Sequence, residues 1–134
     1  MTDKTTTKNA VMTGKTKIIT LWLLRILVAA LFFLTASMKL SGQPMMIENF
    51  DMVGLGQWFR YFTGVLEVMG AVAVLVPVAS VMGAVLLLLV DIGAFFAQAF
   101  ILHMDIIHTI VIGLVISALI FLQRKQLFDF LRRL

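Results

Sequence analysis

The stretch IITLWLLRILVAALFFLTASMKL, Ile18–Leu40, decides the class of this chain. It is long enough to cross a bilayer as a helix, which needs roughly 20 mostly apolar residues, yet Arg25 sits inside it and Lys39 near its end. Working outward, three further apolar segments follow: Tyr61–Ala79, Ser80–Leu102 and Ile106–Leu122. The second and third meet at Val76-Pro77-Val78-Ala79-Ser80. Pro77 has no amide donor and disfavours helical geometry in Val76, so the chain is expected to turn there. Without that break, residues 61–102 would make a helix far too long for one span. The predicted fold is therefore all-α: a four-transmembrane-helix bundle.

Composition agrees. Hydrophobic residues make up 61% of the 134 residues, charged residues 13%, and mean hydropathy is +1.05. A soluble domain has about 45–50% apolar and about 25% charged residues. The net charge of +4 and pI near 9.9 arise from basic residues beside apolar segments. Membrane topology explains them, and nucleic acid is not an expected partner because no basic face with interleaved aromatics exists. Cysteine is absent, which excludes disulfides, thiol redox relays, iron–sulfur clusters and thiolate zinc sites.

Three parts are expected: a solvated, disordered tail over residues 1–17, a transmembrane domain over 18–122, and an amphipathic tail over 123–134. The first tail carries Lys4, Lys8, Lys15 and Lys17, and the last carries Arg124, Lys125, Arg132 and Arg133. The intervening loops on the other side hold Glu48, Asp51 and Asp105. The positive-inside bias places both termini in the cytoplasm. The first segment is too long and too interrupted for a cleaved signal peptide. In the loop 41–57, Pro44 suits a first helical turn, and Met46, Phe50 and Val53 recur at helical spacing. A short interfacial helix on the outer surface is expected there, with Trp58 and Tyr61 marking the membrane boundary.

The functional lead is the quartet Arg25, Lys39, Glu67 and Asp91. A charge at mid-membrane costs at least ~2.5–3.5 kcal/mol, so such groups face one another, water or a ligand. Counted from the outer end of each span, Glu67 lies ~10 Å deep, Asp91 ~16 Å and Arg25 ~22 Å. Asp91 is thus axially between Glu67 and Arg25, and Arg25, Phe32 and Lys39 share one helix face by their seven-residue spacing. Gly64 and Gly70 flank Glu67, and Gly83, Ala84, Gly93 and Ala94 punctuate the third span, as close helix approach requires. Thr109, Gly113 and Ser117 form a small, polar stripe on the fourth. Two interpretations are open. The quartet is either a structural ion-pair network that sets helix register, or the lining of a pocket for a small amphiphile or quinone-like ligand, or a proton path. In the second case Glu67, with Lys39 above and Asp91 below, would face an outward-opening crevice under the Pro44–Val53 helix. His103, Asp105 and His108 match no zinc signature, and no metal is expected.

The run from Arg25 to Lys39-Leu40, then Gly64-Val-Leu-Glu67-Val-Met-Gly70-Ala, and the Gly83-Ala84 opening of the third span resemble the DoxX-like family of small bacterial membrane proteins. The resemblance covers about residues 18–122 and implies four transmembrane helices. Arg25, Lys39 and Glu67 map onto family positions; Asp91 and the two histidines do not. Some members are described as membrane subunits of oxidoreductase complexes, including a thiosulfate:quinone oxidoreductase. Others associate with redox-stress proteins or assist assembly of membrane proteins. The resemblance therefore implies a multi-pass subunit of the bacterial inner membrane, beside redox partner proteins, with quinone as the implied ligand and no covalently bound cofactor. Catalysis by the chain alone is not expected. The alternative is a non-enzymatic scaffold, assembly factor or small-solute carrier, and a homo-oligomer is compatible with either.

Overall fold

The computed structural model describes residues 2–134, with side chains from Gly14 onward. It is all-helical, with no strand among the described residues. Helix α1 spans Thr2–Ser41, α2 Pro44–Val53, α3 Gln57–Leu75, α4 Ser80–Phe96, α5 Ile107–Leu122 and α6 Arg124–Arg133. A 3₁₀ turn, Pro77–Ala79, joins α3 to α4, and a π-helical segment, Ala97–Leu102, prolongs α4. Three helical stretches are long and apolar enough to cross a membrane: Gly14–Ser41, Gln57–Leu75 and Pro77–Leu102. A fourth exists if α5 and α6, which meet at a 69° bend, are one broken span.

The helix boundaries follow local chemistry. Val76, forced out of helical geometry by Pro77, is extended at φ −94°, ψ 113°, and α3 stops before it. The break expected at Pro77 is therefore present, although the second apolar helix runs Gln57–Leu75 rather than 61–79. Pro44 occupies the first turn of α2, whose Met46, Phe50 and Val53 are half-buried while Glu48 and Asp51 are exposed. At the N-terminus, α1 is helical from Thr2, through the segment expected as a disordered tail. Extending an existing helix needs no new nucleus, so residues without a breaker can continue it. The solvated character expected of residues 1–13 lies outside the described side chains.

Helices α1, α3, α4 and α5 close a ring: each packs on the next, and α5 returns to α1. The centre is one cluster contributed by all four, with Val28, Phe32, Val74, Leu87, Ile116 and Leu119 among its members. At the α3–α4 crossing the backbones nearly touch. A methyl group on Gly83 would lie 2.7 Å from the Val74 amide nitrogen and 2.8 Å from the Gly70 carbonyl oxygen. Small residues permit this approach where lipid supplies no hydrophobic drive between helices. The outside is as apolar as the inside, with Leu23, Leu34, Met69, Leu89, Leu114 and Phe121 all exposed. Such a surface belongs in a bilayer, and the chain is a membrane protein.

Helix α6 is tied down rather than free. The Gln126 amide donates to the carbonyls of Pro77 (2.7 Å) and Val78 (3.2 Å), and its oxygen accepts from the Val81 amide at 3.1 Å. It thereby satisfies main-chain groups left over where α3 ends and α4 begins.

Candidate functional site

All four charged residues singled out in the sequence point inward, but they do not form one network. Two of them form a pair near the Ser41 end of α1. The Lys39 ammonium is ion-paired with Glu67 Oε1, and Thr35 Oγ1, one turn back on α1, donates to Glu67 Oε2 at 2.9 Å. Both carboxylate oxygens are thus engaged, and Glu67 is 1% exposed. Arg60, buried about two turns before Glu67 on the same face of α3, donates to the Lys39 carbonyl. Its Nε donates to Gln57 Oε1 at 2.8 Å, and its guanidinium lies 4.3 Å from the Tyr61 ring centroid. A cation at the carboxyl end of α1 also suits the exposed carbonyls there.

Arg25 lies at the opposite end of the bundle. Its Nε donates to Ser80 Oγ at 3.2 Å and its Nη2 to Gln123 Oε1 at 2.7 Å, with the Trp22 ring centroid 4.9 Å away. It joins α1 to the start of α4 and the end of α5. Among the described residues the Lys39–Glu67 contact is the one ion pair. The expected quartet therefore divides: one ion pair, one arginine held by neutral oxygens, and one separate acid. Axial counting carried no information on azimuth. Glu67 sits on the side of α3 that faces α1, whereas Asp91 sits on the side of α4 that faces α5.

Asp91 is 7% exposed and lines a groove of about 290 Å³ between α4 and α5, with Thr109, Gly113 and Ser117 from α5 beside it. A methyl group on Gly113 would lie 2.8 Å from Asp91 Oδ2, so the missing side chain is what makes room for the carboxylate. The stripe of Thr109, Gly113 and Ser117 thus does line an opening, though not with Glu67. The crevice expected at Glu67 beneath α2 is not what the fold builds: that carboxylate is enclosed and saturated, and α2 packs instead on α3 and the π-helical end of α4. No group of three His, Cys, Asp or Glu positioned to hold a metal ion occurs among the described residues.

Sequence reasoning passed over Arg60, Thr35, Ser80 and Gln123. Arg60 was accessible to it: Arg60, Gly64, Glu67, Ala71 and Val74 repeat at intervals of three and four and form the buried face of α3. Gln123 carries no such signal, since it lies just beyond an apolar helix where any polar residue is ordinary.

A family model described as the DoxX-like family matches residues 23–122. That interval holds Arg25, Lys39, Glu67 and Asp91 and stops one residue before Gln123. No curated protein and no solved structure matches the chain.

Proposed function

The chain belongs to the DoxX-like family, and from that membership we propose that it is a multi-pass, non-catalytic subunit of a quinone-linked redox complex in the bacterial inner membrane. In this arrangement α1, α3, α4 and α5 each cross the bilayer, α2 lies on the outer surface, and both termini are cytoplasmic. The short α5 completes its crossing near Gln123, and α6 lies along the inner surface with Phe128 and Leu131 toward lipid.

The observation that carries the subunit reading is the closed state of the buried cations. Lys39 is spent on Glu67, and Arg25 on Ser80 and Gln123. Polar contacts of this kind lock helix register and leave the apolar exterior as the surface on which another membrane component packs. Redox cofactors would then reside on the partner. The same closure is equally compatible with the second reading, a scaffold or assembly factor.

Isolation of the full chain from its native membrane in a mild detergent tests this directly. Co-purification of a flavin- or metal-containing protein, or of stoichiometric quinone, supports the redox subunit. A homogeneous particle of this chain alone, with neither, removes that reading and leaves the scaffold.

A further inference from the structure

The α4–α5 groove differs from the two paired sites in one respect: its acid has no partner. Asp91 is more than nine-tenths buried, and among the described residues no ion pair or hydrogen bond reaches it, although the His108 imidazole of α5 lies within coulombic range. With 1.5 Å per residue it lies ~16 Å from the Leu102 end of its helix, near the middle of a hydrocarbon core about 30 Å thick. An acid there is costly unless something compensates it.

The groove's other polar groups show what that something must be. Thr109 Oγ1 donates its proton to the Ile106 carbonyl at 2.7 Å, so only lone pairs remain for the groove. The Ser117 hydroxyl lies two turns further along the same stripe. Asp91, Thr109 and Ser117 together form a set dominated by acceptors. The walls are apolar, and the Phe95 and Phe96 rings, 5.5 Å apart and edge to face, offer a π surface to positive charge. The mouth is bordered by Phe96, Ile110 and Leu114, which are exposed on the lipid-facing exterior.

We propose that this groove is a binding site for a lipophilic organic cation, an ammonium on an alkyl or arylalkyl body, that enters sideways from the bilayer. An ammonium has up to three donors and no acceptor, which complements the carboxylate together with one of the two hydroxyl oxygens, which stand ~12 Å apart along α5. The ion pair removes the uncompensated charge, and the apolar body lies along the exposed faces of α4 and α5. A ligand headed by carbonyl or ether oxygens would set acceptors against acceptors. The amine head of a phospholipid remains at the bilayer surface, ~16 Å away from Asp91. This site does not depend on the proposed redox association.

The test uses the full chain in phosphatidylcholine nanodiscs and radiolabelled dodecylamine as probe. Saturable binding is expected, displaced by unlabelled dodecylamine and not by dodecanol. Asp91→Asn should weaken binding by about 30-fold or more, as loss of one partner of a buried charge pair does. Leu114→Trp, at a lipid-exposed position, should fill the mouth and abolish binding with Asp91 intact; it decides the matter if Asp91→Asn does not fold. Non-saturable uptake, equal displacement by dodecanol, or wild-type binding by both variants overturns the proposal. So does displacement by added phosphatidylethanolamine, which would assign the groove to a lipid head group.

Discussion

Arg25 and Gln123, 98 positions apart in sequence, are joined by a 2.7 Å hydrogen bond across the inner end of the bundle. The guanidinium is held by an amide and a hydroxyl rather than by an acid. Replacing Gln123 with Leu should therefore leave a buried cation short of an acceptor, at a cost of about 1–3 kcal/mol. Arg25→Leu removes the charge together with its need, so it should cost less than Gln123→Leu. Thermal unfolding in detergent, followed by circular dichroism, checks the order. A larger loss for Arg25→Leu would mean that the arginine compensates a charge elsewhere.

The Lys39–Glu67 pair makes an asymmetric prediction. Lys39→Met leaves Glu67 enclosed without its cation, a change worth about 3–5 kcal/mol for a buried pair. Glu67→Gln leaves a lysine whose stem reaches the membrane rim, where the ammonium can find water, so the loss should be smaller. The double replacement Lys39→Met, Glu67→Leu should recover part of the first loss. Chemical unfolding of the three variants in mixed micelles measures this, and additive losses would show that the two residues do not interact.

Two glycines on α4 should respond in opposite ways. At Gly83 an added methyl meets the α3 backbone, so Gly83→Ala should separate the helices and destabilise by about 1–3 kcal/mol. At Gly93 nothing lies within 4 Å, and Gly93→Ala should be neutral or stabilising by up to about 1 kcal/mol through helix propensity. Melting temperatures of the two variants, compared side by side, distinguish a packing role from a compositional one.

The proposed topology places Asp51 and Leu134 on opposite faces of the membrane. A periplasm-active reporter fused after Asp51 should be active and the same reporter after Leu134 inactive. Activity at both positions would mean that α5 and α6 do not return the chain to the side from which α1 starts.

Much of this architecture is readable before any coordinates. Pro77 ends α3 because the residue before a proline is driven to extended geometry, a purely local effect. Pro44 and the Met46, Phe50, Val53 spacing define α2 in the same way. The inward orientation of Arg25, Glu67 and Asp91 was also legible, since lipid tolerates none of them on the outside of a bundle. What was not legible is partnership. Counting residues along a helix yields only an axial position. Pairing depends also on which neighbour each helix face meets, and that is set by packing between residues far apart in sequence.

The sequence alone determined that this chain is helical, that it lives in a membrane, where its helices break and which charges must be turned inside; each follows from local geometry or from the cost of polar groups in hydrocarbon. Only the tertiary structure decided that Lys39 closes on Glu67, that Arg25 is held by Ser80 and Gln123, and that Asp91 faces α5 unpaired. The close α3–α4 approach at Gly70 and Gly83 and the space left by Gly113 set these azimuths, and no periodicity within a single helix encodes the rotation of one helix against another.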